Sequence, residues 1–136
     1  MKTIDNYLFF DGNCRQAMEF YANCLGAELH AMKYSDAPNC PQGAEDKIMH
    51  ARITKGTTNL MASDWAAPVP FKPGNNFSLC LNCDSQEEIE KLFNAIGEGG
   101  QITMPLADTF WGSHFGMLTD QFGVNWMFNF DLPKQS

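Results

Sequence analysis

"NYLFFDGNCRQAMEFYANCLGAELHAM", residues 6–32, and "SLCLNCDSQEEIEKLFNAIGEGGQITM", residues 78–104, carry one plan written twice. Each opens on a short apolar run, breaks at polar residues, resumes with apolar positions at helical spacing, stops at glycine and leaves in an extended stretch. In the first copy Asn13 is the expected N-cap with Gln16 three residues on, and Gly26 the expected left-handed stop. In the second, Ser85 and Glu88 read as a capping box, Ile89, Leu92, Phe93 and Ile96 as the buried stripe, and Gly97 as the stop. The helix starts, Asn13 and Ser85, lie 72 residues apart, and the first strands align at the same offset, Asn6 with Ser78.

Each copy then finishes with a hairpin. The first is "KIMHARITKGTTNLMASD", turning at Lys55-Gly56-Thr57, and the second "SHFGMLTDQFGVNWMFNF", turning at Gln121 to Gly123. Asn59-Leu60-Met61 falls opposite Asn125-Trp126-Met127, at an offset of 66. The offset shrinks because the loop "YSDAPNCPQGAED" is longer than "LADTFWG". The sequence therefore predicts an α+β fold of two tandem βαβββ modules, about 1–66 and 75–130, joined by the linker 67–74, "APVPFKPG", in one domain over 1–136.

A sheet covered by one helix leaves its second face bare. In the last strand Trp126, Phe128 and Phe130 point one way and Asn125, Met127 and Asn129 the other; in "NNFSLCLNC" Phe77, Leu79 and Leu81 should meet the helix while Asn76, Ser78, Cys80 and Asn82 face away. Two such modules side by side are expected to curl into a partly open, barrel-like sheet whose polar and thioether face lines a central cleft.

Composition narrows the partners. With 44% apolar residues and 11 Phe, the 136-residue chain can fill a core. A net charge of −7 with scattered Lys and Arg argues against nucleic acid and anionic membrane, and no apolar segment has spanning length. The start "MKTIDNYLFF" lacks a secretory cleavage pattern, and five cysteines without framework spacing fit a reducing compartment, so a cytoplasmic location is expected. Cys80 and Cys83 have C-x-x-C spacing but lie on an alternating strand, so they point to opposite faces. Cys14 and Cys24 read as small core residues.

Paired modules with "EFY…LGAE" in the first helix resemble the vicinal-oxygen-chelate superfamily, which includes glyoxalase I, bleomycin-resistance proteins and extradiol dioxygenases. More closely, "FDGNCRQAMEFYANCLGAEL", "LMASD" and "TFWGSHFGMLTDQFGVNWMFN" resemble its PhnB-like branch. Domains of this branch are sometimes labelled demethylubiquinone methyltransferases, yet no strand-then-glycine-loop unit for a nucleoside cofactor is present. The resemblance implies a homodimer, and metal ligands at Asn6, near Met61, at Ser78 and at Met127. None of these donors suits a hard divalent ion, so neither metal nor cofactor is expected.

The expected partner is then a small-molecule ligand, touched by Asn6, Met61, Asp64, Ser78, Asp108, Trp111, Asn125 and Met127. His50 and His114 occupy near-equivalent places in the two hairpins and are the candidate acid or base of the alternative reading, an enzyme of the same superfamily, metal-independent or with a displaced metal site completed by Asp64, Asp108 or Asp120. Tyr34 to Glu45 is a candidate lid, and Trp65 with Asp64 is expected at the cleft rim.

Overall fold

The computed structural model describes residues 1–134, and the chain divides into two compact units, Met1–Lys72 and the segment from Pro73 onward. The first unit runs β1 (Tyr7–Phe10), α1 (Cys14–Leu25), β2 (Glu28–Lys33), a 3-10 turn (Tyr34–Asp36), β3 (Ile48–Lys55) and β4 (Thr58–Asp64). The second repeats it with β5 (Leu79–Asn82), α2 (Gln86–Gly97), β6 (Gln101–Asp108), β7 (Ser113–Thr119) and β8 (Asn125–Asp131). Each unit folds into an open four-stranded sheet, in the orders β1-β4-β3-β2 and β5-β8-β7-β6. In both, the first strand runs parallel to the last, and the other two pairings are antiparallel. The two predicted βαβββ modules are thus present with identical topology.

α1 buries Cys14, Ala17, Met18, Tyr21 and Ala22, the i, i+3, i+4, i+7, i+8 stripe of an amphipathic helix, in a unit whose buried strand residues include Leu8, Phe10, Ala51, Ile53, Leu60 and Ala62. Its ends are held by the strands. Asn13 makes no side-chain cap; the Asp64 carboxylate accepts from the Cys14 amide instead (2.9 Å), which sets negative charge at the helix N-terminus. At the other end Gly26 is left-handed (φ 63°) as predicted, and the Lys55 ammonium donates to the Leu25 carbonyl at 2.6 Å.

α2 buries Ile89, Phe93 and Ile96, with Phe93 edge-on to Phe128 at 5.2 Å between ring centroids. Ser85 caps it by accepting from the Glu88 amide (3.1 Å), but Glu88 reaches back to the amide of Asp84 rather than of Ser85 (2.9 Å). Gly97 is not a left-handed stop. It is the last helical residue, and a Cβ there would come within 2.9 Å of Leu118 Cδ2, so it permits close helix-to-sheet approach; the positive φ falls at Gly99 (77°). Phe77 was expected in the core but lies ahead of β5 and is 54% exposed.

Both hairpins turn where predicted. Lys55 pairs with Thr58 around Gly56 (φ 58°), and the second turn is organised by Asp120, whose Oδ1 accepts from the Phe122 and Val124 amides (2.8 and 3.0 Å) while Oδ2 accepts from the Trp126 indole (2.8 Å). Among the described residues no helix is long and apolar enough to cross a membrane.

Candidate functional site

Each sheet has one face under its helix and one face without a helix, and strand register decides which side chains the open face presents. In the first unit Tyr7 lies opposite Met61, Met61 opposite Arg52 and Arg52 opposite His30, so these four form a row across β1, β4, β3 and β2. One step along, Phe9 pairs with Ser63 and His50 with Met32. Leu8 and Phe10 point the other way into the core, which leaves Tyr7 and Phe9 38% and 47% exposed.

Aromatic rings dominate this face. Tyr7 and Phe9 sit 5.2 Å apart between centroids, Phe9 meets Trp65 edge-on at 5.2 Å, and Trp65 meets Phe71 at 6.3 Å. Trp65 is fixed by its indole donating to the Val69 carbonyl (2.8 Å). The Tyr7 hydroxyl and His50 Nδ1 are hydrogen-bonded at 3.1 Å, with the rings 5.7 Å apart. Asn59 belongs to the same face, two residues before Met61, and its Oδ1 is buried with no hydrogen-bond partner among the described residues.

The open face of the second unit is sulfur and amide. Cys80, Met127, Met117 and Met104 form the row that corresponds to Tyr7, Met61, Arg52 and His30. The amides around it bind one another: Asn129 Nδ2 donates to Asn82 Oδ1 (3.3 Å), and Asn125 Oδ1 accepts from the Thr119 hydroxyl (2.7 Å). Trp111, 57% exposed, stacks edge-on with Phe110 and lies 5.9 Å from Phe115. Its loop is pinned by Thr109, which exchanges hydrogen bonds with Ser113.

Register also separates the two histidines that looked equivalent. Ala51 pairs with Ala62 and Gly116 with Phe128, so the counterpart of His50 is Phe115, and His114 is one residue out of phase. A one-residue slip reverses the face. His50 therefore faces out beside Tyr7, whereas His114 is buried on the helix side, its Nδ1 2.7 Å from Asp108 Oδ1 and its Nε2 3.2 Å from the Gln86 amide nitrogen at the start of α2. Asp108, expected as a ligand contact, is the partner that orients His114.

The same slip affects the first strands. Tyr7 faces Met61 and Cys80 faces Met127, so Cys80 corresponds to Tyr7, and the alignment of Asn6 with Ser78 does not hold. Asn6 and Ser78 each lie ahead of their strand, half-buried, and Asn6 is in phase with Leu8 rather than with Tyr7. Asp64, expected at a rim, is 3% exposed and turned inward: one oxygen takes the Cys14 amide and the other the Ile48 amide (2.8 Å). The residues that sequence reasoning missed, Tyr7, Phe9 and Arg52, lie in stretches whose pattern does not announce a face; "YLFF" is apolar at every position.

Thiol electrostatics follow burial. Burial, reinforced by Asp64, pushes the Cys14 thiol up to about 12, and burial with Glu88 and Asp84 does the same for Cys83. Cys80 and Cys83 point to opposite faces, one exposed and one buried, as the alternation predicted. Of the four positions the resemblance implied, Asn6 and Ser78 lie ahead of their strands, and the residues paired with Met61 and Met127 are Tyr7 and Cys80; an amide, a hydroxyl, a phenol, a thiol and two thioethers stand there, and among the described residues no three His, Cys, Asp or Glu side chains gather. That donor set does not fit a hard divalent cation.

The family described as 3-demethylubiquinone-9 3-methyltransferase matches residues 2–128. Protein YjdN of Escherichia coli (strain K12) is 36% identical over 135 residues, covering 90% of this chain and 91% of its own. Among solved structures, protein PA1353 from Pseudomonas aeruginosa is 45% identical with a TM-score of 0.85, covering 96% of this chain and all of its own (100%). A PhnB protein from Bacillus cereus is 28% identical with a TM-score of 0.75 over 95% of this chain and 99% of its own. A glyoxalase/bleomycin resistance protein/dioxygenase family enzyme from Burkholderia phytofirmans PsJN, 16% identical over 93% of this chain and 96% of its own, shares the fold with a TM-score of 0.68. The repeated topology, the tryptophan-bearing second hairpin and these relatives together make the chain a member of the PhnB-like family described as 3-demethylubiquinone-9 3-methyltransferase, with a fold shared by glyoxalase/bleomycin resistance/dioxygenase proteins.

Proposed function

We propose that the protein binds a small aromatic or amphipathic organic molecule without the divalent metal of its superfamily, both units serving as one glyoxalase-like domain. The observation that carries this reading is the exposure of Tyr7 and Phe9 on an open sheet face beside Trp65. Large rings on a face no helix covers mark a binding surface more often than a scatter of single apolar residues does. Around them stand groups that orient a ligand: His50, the exposed guanidinium of Arg52, and the buried Asn59 Oδ1, which a ligand N–H or O–H would satisfy. A ring bearing an anionic group fits this combination. On the second unit, Asn125, Met127 and Trp111 remain the proposed contacts.

The test is a binding titration with a panel of aromatic carboxylates. The Tyr7→Ala/Phe9→Ala variant should bind the best of them at least about tenfold more weakly, since truncating a ring at the centre of a contact typically costs 2 kcal/mol or more. Unchanged affinity would overturn the assignment of this face.

One observation favours an enzymatic alternative. The Tyr7–His50 pair offers a half-buried imidazole whose Nδ1 is already oriented by a phenol, suited to moving a proton on a bound substrate without metal. Turnover abolished by His50→Ala and retained in His114→Gln would establish it. Methyl transfer has no such support, because neither sheet is the doubly wound parallel kind that holds a nucleoside cofactor.

A homodimer is part of the proposal, since Phe110, 98% exposed, and Trp111 offer apolar surface that a second copy would cover. A monomer mass by light scattering would remove it. Five free thiols accord with a reducing, cytoplasmic setting.

A further inference from the structure

The sulfur row on the second sheet is not required by the fold. The corresponding row of the first sheet carries a phenol, a thioether, a guanidinium and an imidazole, so the duplicated backbone accepts varied side chains there. In the second sheet every strand presents sulfur at that level: Cys80 on β5, Met127 on β8, Met117 on β7 and Met104 on β6. Residues directly opposite across a sheet have Cβ atoms about 4.5–5.5 Å apart, and methionine is flexible enough to swing its thioether to a neighbour's sulfur. None of the four is core: Cys80 is exposed, Met104 is 45% exposed, and Met117 and Met127 are half-buried.

We propose that this row binds a soft monovalent cation, of the copper(I) or silver(I) class, through the Cys80 thiolate and the thioethers of Met127 and Met117, with Met104 as an outer fourth donor. Soft sulfur ligands select such ions, whereas zinc, manganese or magnesium would need imidazole and carboxylate donors, which none of these four positions supplies. At neutral pH the Cys80 thiol binds as Cys–SH + M⁺ → Cys–S–M + H⁺, releasing one proton with no change of oxidation state. The free Cys80 thiol donates to Asn82 Oδ1 at 4.0 Å, a long contact given up when the proton leaves. Cys83 cannot contribute, being buried on the opposite face. The observation that carries the organic-ligand reading lies on the first unit and the sulfur row on the second; Met127 is the residue both invoke, and loss of silver binding with the Tyr7 and Phe9 contacts intact would separate them.

The experiment is an anaerobic titration of the whole chain, in a Cys40→Ser background that removes the loop thiol, with silver nitrate in chloride-free buffer and with copper(I) against a competing chelator. One tight equivalent is expected, with one proton released, lost in Cys80→Ser and unaffected by zinc. Met117→Leu/Met127→Leu, close to volume-conserving, should keep the unfolding midpoint but bind at least about tenfold more weakly, the low end of what losing a supporting partner at a metal costs. Methyl signals of carbon-13-labelled methionines in the unmutated chain should shift for Met117 and Met127 on adding one equivalent. Equal affinity in the double leucine variant, or methionine methyl signals that do not move, would reduce Cys80 to an ordinary surface thiol and overturn the proposal.

Discussion

Replacing Asp64 separates a structural carboxylate from a ligand contact. Its side chain is 3% exposed and ties three elements of the first unit: it belongs to β4, accepts from the Cys14 amide at the head of α1, and accepts from the Ile48 amide at the head of β3. A hydrogen bond to a charged group contributes about 1.5–3 kcal/mol, so two amount to about 3–6 kcal/mol, offset in part because the variant no longer buries a charge. Asp64→Ala leaves two backbone donors unpaired and should lose about 3 kcal/mol. Asp64→Asn keeps one acceptor but turns an N–H towards an N–H, and should lose roughly half to all of that.

Urea unfolding followed by far-ultraviolet circular dichroism would read the alanine loss as a midpoint lowered by about 1–2 M with the slope unchanged. Faster hydrogen exchange at the Cys14 and Ile48 amides, without change at the second unit, would localise it. A loss under 1 kcal/mol, or a ligand affinity that collapses in Asp64→Asn while stability holds, would refute the inward assignment.

Alkaline pH should weaken the fold through the two buried thiols. The ordinary value is 9.0 and the folded value about 12 for both Cys14 and Cys83, so their contribution is intact below pH 9 and is lost as the pH climbs towards 12. Cys14→Ala should therefore reduce the fall in urea midpoint between pH 9 and pH 10, and an unchanged fall would refute the buried-thiol account. Gly116→Ala should cost about 1–3 kcal/mol, because the added methyl would lie 2.9 Å from both Leu106 Cδ2 and Phe93 Cε2 in a packed core; an unfolding temperature within a degree of the parent would contradict that packing.

The duplicated plan was legible because helices and tight turns carry local signals. Gly26 needs a left-handed backbone, Ser85 sits three residues before Glu88, and Gly56 and Gly123 mark turns that no β-branched residue would make easily. Faces were legible only where polarity alternates. "NWMFNF" assigned Trp126 and Phe128 to the core, and both are buried, although Phe130 is only half so. "YLFF" offers no alternation, and the identity of Asn6 as an amide drew attention one residue too early. Asp64 and Asp120 look alike in sequence, as acids beside apolar strands; that both serve backbone or indole donors follows from closures across the module that no local pattern encodes.

The one-residue slips explain how the two modules diverged in chemistry while keeping one topology. By sequence His50 and His114 fall in near-equivalent places of the two hairpins; counting from the ladder, they lie on opposite faces, and Phe115 stands where His50 does. A sheet with one buried face fixes phase strictly, so such a shift does not move a residue slightly but transfers it between core and surface. His114 consequently works as a buried strut between Asp108 and Gln86, and among the described residues the open face of the second unit presents sulfur, amides, hydroxyls, a ring and the Asp131 carboxylate rather than an imidazole. The first unit keeps its titratable and cationic groups, His50, Arg52 and His30, on the open side. Chemistry that depends on an imidazole or a positive charge would therefore draw on the first module, and chemistry that depends on a row of soft donors on the second.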